Sequence, residues 1–378
     1  MNGCSLSIRR ERLARCLTRR AVLGLGVLTL LLIALAAVTA GTLWLACSAA
    51  WDQRWLTALG WLAIAVPCAA GGLRLARCLF AANPPPVGVP LSRELAPSLH
   101  ALIERVGADF GELRIHTLWI TGDINAAVLQ RPRSGLCGRM ENHLLIGLPL
   151  AHSVSERQLG AILAHEFGHL HRQRRALAAW GCHLRAWWFR AVDNCILCCP
   201  LLGWLLDHLT LADVARAQAL SRMEEFEADH EAARVVGSPL LAQTLLELAA
   251  RERFLRCDYW VKVMAQRSRL PRPNVRPYRD MGLGMVAGFL PALDRGECTG
   301  EDCGDEDGLH PSLSERLAAL REAPALDTRV EDSVAERHLA PLLPRLAWEL
   351  DRAWWSAARG EWREVYRSVQ RRRSGSVA

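Results

Sequence analysis

No feature limits this chain more than residues 21–46, AVLGLGVLTLLLIALAAVTAGTLWLA, a run without a charged side chain. About 20 apolar residues suffice for a helix to cross the hydrocarbon core of a bilayer, so the run is long enough to span. A second apolar run, WLTALGWLAIAVPCAAGGL at 55–73, follows after only CSAAWDQR, and the pair reads as a tight transmembrane hairpin. Trp44, Trp51 and Trp55 gather at its turn, where aromatic rings favour the membrane–water boundary. Arg9, Arg10, Arg12, Arg15, Arg19 and Arg20 precede the first run and Arg74 and Arg77 follow the second, whereas the turn holds Arg54 beside Asp52. The positive-inside bias then puts both termini and the downstream domain on the cytoplasmic side, as in a bacterial inner membrane. A cleaved signal peptide has an apolar region of about 7–15 residues, shorter than this run, and no second span behind it.

The remainder of the 378 residues has room for one large or two modest domains. An apolar fraction of 51% suits a membrane part joined to a globular part. The net charge of +7 is spread along the chain. No nucleic-acid motif and no basic helix interleaved with aromatics accompanies it, so nucleic acid is not an expected partner. Thirteen cysteines at irregular spacing, several inside apolar runs, read as reduced thiols rather than a disulfide framework. CILCCP at 195–200 reads as small apolar packing rather than a metal tract. For Cys298 and Cys303, a local pairing or a second metal site both stay open.

The expected organisation is a basic stretch at 1–20, two membrane helices within 21–80, a globular domain at 84–325, and a Trp-rich basic helical tail at 326–378. ANPPPVGVP at 82–90 marks the linker. A short amphipathic helix is expected in SRELAPSLHALIERVGADFG, strands at 113–121 and 143–150, and between the strands a hairpin turning near Ser134–Gly135. The next helix starts at a capping box, either Ser155 with Gln158 or Ser153 with Glu156. Leu159, Ile162, Leu163, Phe167 and Leu170 give it a buried stripe. A further helix carrying SRMEEFEADHEAARVV stops at Gly237 and Pro239. The fold class is therefore mainly α, of the α+β kind, with a small sheet. Residues 176–211 are very apolar but hold Arg185, Arg190 and Asp193. They form either interfacial amphipathic helices anchored by Trp180, Trp187, Trp188 and Trp204, or core helices of the domain. The tail either docks on the domain or the cytoplasmic leaflet, or is partly solvated.

The chemistry sits in AHEFGHLHR. Residues four apart share a helix face, so His165 and His169 can present two imidazole nitrogens to one metal ion. Glu166 beside them can polarise a metal-activated water and shuttle its proton. Zinc suits nitrogen and oxygen donors with one position left open. Arg172 and Arg175 stand where a metzincin would need Gly and His, so that class is excluded. The third ligand must come from elsewhere, and Glu225 and Asp229 share one face of the later helix. Glu225 can complete the site, and Asp229 can fix the tautomer of a ligand histidine, His165 in the first place.

Together LAHEFGHLHR, SRMEEFEADHEAA and HPSLSERLAAL resemble the integral-membrane zinc endopeptidases of the HtpX and CAAX prenyl protease type. The likeness runs over roughly residues 84–322. It implies a gluzincin-type metallopeptidase domain, one Zn2+ per chain held by His165, His169 and Glu225, and Glu166 as general base. It also implies that Arg222 and His310 lie near the active site. His310 either holds substrate and steadies the oxyanion or caps the helix after it, and Arg316 is a structural partner for acidic groups. Asn125 and Ala126 match the edge strand to which a peptide can add by backbone hydrogen bonds. Best-known members have further clean spans between the two ligand-bearing helices, where this chain has its charge-interrupted segment. The expected function is a membrane-anchored zinc metalloendopeptidase acting on misfolded or membrane-associated proteins. The competing class is a non-catalytic zinc-bearing scaffold or chaperone-like binder. Protein or peptide substrates and the lipid bilayer are the expected partners; the oligomeric state stays open.

Overall fold

The computed structural model describes residues 3–80, 86–111, 113–134, 137–172, 176–294, 310–326 and 332–375. Two long helices come first, α1 (Gly3–Trp51) and α2 (Trp55–Phe80). A small sheet and its helices follow as β1 (Val89–Leu91), α3 (Pro97–Asp109), β2 (Thr117–Thr121), β3 (Ala126–Ser134), β4 (Cys137–Gly147) and α4 (Leu148–Ser153). Next come α5 (Glu156–Arg172), α6 (Ala176–Cys198), α7 (Pro200–Val236) and α8 (Ser238–Phe254). A π-helical turn at Leu255–Tyr259 leads to α9 (Trp260–Ala265), α10 (Pro277–Asp294), α11 (Leu313–Leu320), α12 (Val334–His338) and α13 (Leu343–Gly375). The chain divides into two compact units. One holds residues 1–84, 132–140 and 173–223; the other holds 85–131, 141–172 and 224–378.

In the first unit, α6 packs on α1 and α2. Trp188, Ala191, Val192 and Cys195 meet Ala21, Leu25 and Leu28 of α1 and Leu75, Cys78 and Leu79 of α2. Gly24 leaves the space that the Trp188 ring fills; a Cβ there would stand 2.4 Å from the indole. Trp187 donates its indole N–H to the Leu79 carbonyl at 2.7 Å. Interfacial anchoring therefore does not describe Trp188, which is buried in the bundle, whereas Trp204 is exposed. Among the described residues, α1 from Ile8 and α2 are long and apolar enough to cross a bilayer. Only 17% of each apolar window is buried, so neither is a core helix. Leu23, Val27, Leu30, Ile33, Leu59 and Val66 point outward, as a lipid-facing surface requires.

In the second unit the strand order is β1-β2-β4-β3. β1 runs antiparallel to β2 (Val89 opposite Ile120), and β2 runs parallel to β4 (Leu118 opposite Leu144). The end of the expected linker thus joins the sheet, with Pro90 on an edge strand, where a missing N–H is tolerated. The expected first strand shortens to Thr117–Thr121. Before it, Asn142 donates from its amide N–H to the His116 ring and from its side chain to Arg114 O, bonds outside a ladder. The expected strand at 143–150 stops at Gly147, and 148–153 is helical. Pro149 explains this: it cannot donate to a ladder but suits a first helical turn. Gly147 lies so close to the loop at 123–125 that a Cβ would collide with the Asp123 carbonyl. The turn residue Gly135 lies outside the described residues, as do Cys298 and Cys303. Cys78 and Cys195, like the other cysteines whose side chains are described, are free thiols.

The core of this unit lies between α3, the sheet, α4, α5, α8 and α10. The stripe of α5 is buried as its spacing requires, with Leu159, Leu163 and Phe167 fully inside. Its cap is Ser155, whose N–H donates to Gln158 while its hydroxyl accepts from the Gln158 amide. The alternative cap Ser153 belongs to α4, where its hydroxyl donates to Pro149 O. The tail helix α13 docks on the domain: Leu346, Ala347 and Leu350 join the core, and Trp362 is 1% exposed.

Candidate metal centre

α5 carries His165, Glu166 and His169 one turn apart, and α7 brings up Glu225 and Asp229. Gly168, between the histidines, makes that approach close. A Cβ at this position would stand 3.1 Å from the Ala228 carbonyl and 3.3 Å from its Cα. A larger residue would push α7 away from the imidazoles. Glu225 and Asp229 are both buried, so each carboxylate needs partners in the protein.

Those partners converge. His165 Nε2 lies 3.2 Å from His169 Nε2, Glu225 Oε2 lies 3.4 Å from His165 Nε2, and Glu225 Oε1 lies 3.4 Å from His169 Nε2. With zinc–nitrogen and zinc–oxygen bonds of about 2.0–2.2 Å, the edge of a tetrahedron is roughly 3.3–3.5 Å. The three distances lie close to these edges, with Glu225 meeting the two imidazoles through different oxygens, so His165, His169 and Glu225 could hold a zinc ion. Among the described residues they are the group whose donor atoms could hold a metal, all within 4.8 Å of one another. The cysteines of CILCCP form no such group among the described residues.

Asp229 supports the set from behind. His165 donates Nδ1–H to Asp229 Oδ1 at 2.9 Å, which leaves Nε2 free as a donor to metal. Arg316 of α11 donates to both Asp229 oxygens, from Nη2 at 2.6 Å and Nε at 2.8 Å. Burial opposes the charge on Asp229, but the Arg316 and His165 hydrogen bonds hold its carboxyl below the usual range. Burial also opposes the proton on His165, yet the Asp229 and Glu225 carboxylates win and raise it to about 9. For Glu225, hydrogen bonds from His165, His169 and His310 outweigh burial and hold the carboxyl far below the usual range.

Glu166 is not part of the donor group. Val128 of β3 donates its N–H to Glu166 Oε2 at 3.2 Å, and burial raises the carboxyl against the lowering pull of both histidines. His310 places Nδ1 3.2 Å from Glu225 Oε1, with its side chain half exposed. The helix cap beyond it is Ser312, in a box with Glu315, not His310. Arg222 sits one turn before Glu225 on α7, half-buried, and does not line the cleft. Asn125 and Ala126 do line it, at the start of the edge strand β3.

The cleft holds about 960 Å³. Glu166 and the donor group form one wall, residues 122–127 a second, and Leu241, Leu245 and Leu248 of α8 a third. Trp260, Tyr278 and Trp354 also line it. Sequence reading gave these three no role. They are 94 positions apart from first to last, and only the Trp content of the tail hinted that it packs on something.

The profile of Peptidase family M48 matches residues 137–324. Among curated proteins, Protease HtpX homolog 2 of Methanosarcina mazei is 25% identical over 246 residues, covering 61% of this chain and 74% of that protein. No solved structure matches.

Proposed function

From the match of Peptidase family M48 to residues 137–324, we propose that this chain is a membrane-anchored zinc metalloendopeptidase cutting misfolded or membrane-associated proteins. The observation that carries the proposal is the donor triangle of His165, His169 and Glu225, with Glu166 beside it in an open cleft. Zinc, when bound, supplies a Lewis acid that polarises the scissile carbonyl and acidifies water. Glu166 takes the proton of the attacking water and passes it to the leaving amine. Its upward displacement by burial suits a group that must both accept and return a proton. Val128 N–H steadies that carboxylate. Asp229 and Arg316 hold His165 in one tautomer and one orientation. His310 lies within reach of the ligand carboxylate, where a ring N–H can also meet an oxyanion.

An extended peptide would add to the free side of β3. The Asn125 carbonyl accepts from Gly147 N–H, so residue 125 faces β4, and by alternation Ala126 faces the cleft. Backbone pairing there would hold many sequences. The two apolar helices would anchor the domain at the cytoplasmic face, as the arginine flanks indicate. A reporter fused after residue 378 checks the orientation; activity on the far side of the membrane contradicts it.

The decisive experiment is zinc analysis with a casein cleavage assay on the purified full chain. One zinc per chain with chelator-sensitive cleavage is the expected result. A zinc-loaded protein inert on every unfolded substrate would favour the scaffold. The raised His165 adds a further expectation. Metal binding needs the neutral imidazole, so at pH 7 zinc must expel a proton held with a pKa of about 9. Calorimetric titration of the metal-free chain at pH 7, in two buffers of different ionisation enthalpy, should report release of about one proton per zinc. The release should fade above pH 9, and apparent affinity should rise with pH up to that point. Identical heats in both buffers at pH 7 would contradict it.

A further inference from the structure

Helix α13 lies beyond the family match, yet it forms part of the cleft wall. Trp354 lines the cleft beside Trp260 and Tyr278. The Trp260 ring centroid lies 5.8 Å from Tyr278 and 5.9 Å from Trp354. Trp260 and Trp354 are half-buried: each packs against the core and also reaches the cleft. The trio is held firmly. Tyr278 and Arg279 donate backbone N–H groups to Asp351, one turn before Trp354, at 2.8 and 3.3 Å. Trp354 leans on Trp362, whose indole N–H donates to Leu270 O at 3.0 Å. Asp351 and Trp362 account for docking; neither requires an aromatic face turned to the cleft.

The position of this wall is fixed by Tyr278. Its hydroxyl donates to Gly122 O at 3.1 Å, and Gly122 tolerates the ring only because it lacks a Cβ, which would stand 2.4 Å from the Tyr278 hydroxyl oxygen. Residues 122–125 run directly into β3, whereas Glu166 is fastened further along, at Val128. The aromatic wall therefore lies along the peptide-binding edge, displaced from the reacting centre toward residue 122. A peptide antiparallel to β3, the pairing with the straighter hydrogen bonds, brings the residues after the cut bond to this wall.

We propose that Trp260, Tyr278 and Trp354 form a subsite for a large apolar or aromatic side chain of the substrate, on the leaving-amine side of the cut. Helix α13 is then a specificity element and not only a packing element. The proposal rests on the peptidase reading. Edge-strand binding leaves specificity to side-chain pockets. Aromatic faces reward aromatic and apolar partners through area and ring geometry, and Leu241, Leu245 and Leu248 continue the apolar lining.

The test compares two quenched fluorescent peptides, identical except for Phe or Ala in the residues after the cut, on the full chain with zinc. The wild type is expected to prefer Phe in kcat/KM. Trp354→Ala is expected to lower the Phe/Ala ratio by about five- to tenfold. Trp354→Leu, which keeps bulk for folding, is expected to lower it by about two- to threefold, and it decides the matter where the Ala variant does not fold. A wild type without preference, or a ratio unmoved by a folded variant, overturns the proposal. A wild type that cuts nothing refutes the peptidase reading instead. The subsite is then judged by peptide binding to Glu166→Gln protein with and without Trp354→Ala. Loss of Phe-over-Ala binding sustains it, and equal binding overturns it.

Discussion

Glu166→Gln is expected to lower casein hydrolysis by about 10²–10⁴-fold while zinc stays at one per chain. The amide has nearly the same shape, and its carbonyl oxygen can still accept from Val128 N–H, which Glu166 engages at 3.2 Å. It cannot take a proton. Zinc should stay because Glu166 lies outside the group formed by His165, His169 and Glu225. Single-turnover cleavage and zinc analysis on one preparation separate the two outcomes. Loss of zinc together with activity would move Glu166 into the ligand set. Full activity without the carboxylate would remove the general base from the mechanism.

Asp229→Ala should damage both stability and metal affinity. Asp229 is 1% exposed and accepts from Arg316 twice and from His165 once. Its removal strands a mostly buried guanidinium, at a cost of about 3–5 kcal/mol. It also frees His165 to rotate or change tautomer, which should weaken zinc binding by about 10–100-fold. Urea unfolding and competition with a zinc dye read the two effects. In the wild type, a carboxyl held below its ordinary value contributes stability that is present above pH 4 and fades as the pH falls through the depressed value. The variant should lack that part of the acid-side decline. Unchanged stability and unchanged zinc affinity would show that the Arg316–Asp229–His165 chain carries no strain of the site.

The candidate metal donors were legible because helix periodicity is local. Four-residue spacing puts His165 beside His169 and Glu225 beside Asp229, whatever else the fold does. The buried stripe of α5 and its Ser155 cap follow from the same spacing. Other features depended on contacts between distant segments. Trp188 looked like a membrane anchor until Gly24 of α1 offered its ring a place. Residues 148–150 look like strand by composition, but α4 begins at Leu148 with Pro149 in its first turn. Arg316 was legible only as a partner for acidic groups in general; its bidentate hold on Asp229 required α11 to meet α7.

By itself the sequence marked the two apolar helices, the mainly helical class with a small sheet, the candidate metal-binding residues, and the likeness to a peptidase family. Each is written in composition, in short-range spacing or in motif order. Tertiary structure alone decided that Glu225 and the two imidazoles come within reach of one ion while Asp229 holds His165 from behind, because Gly168 permits a close helix approach that no local pattern reports. It alone turned a Trp-rich tail into a wall of the cleft, because burying aromatic area rewards whichever distant surface can receive it, and that surface exists only after the chain has folded.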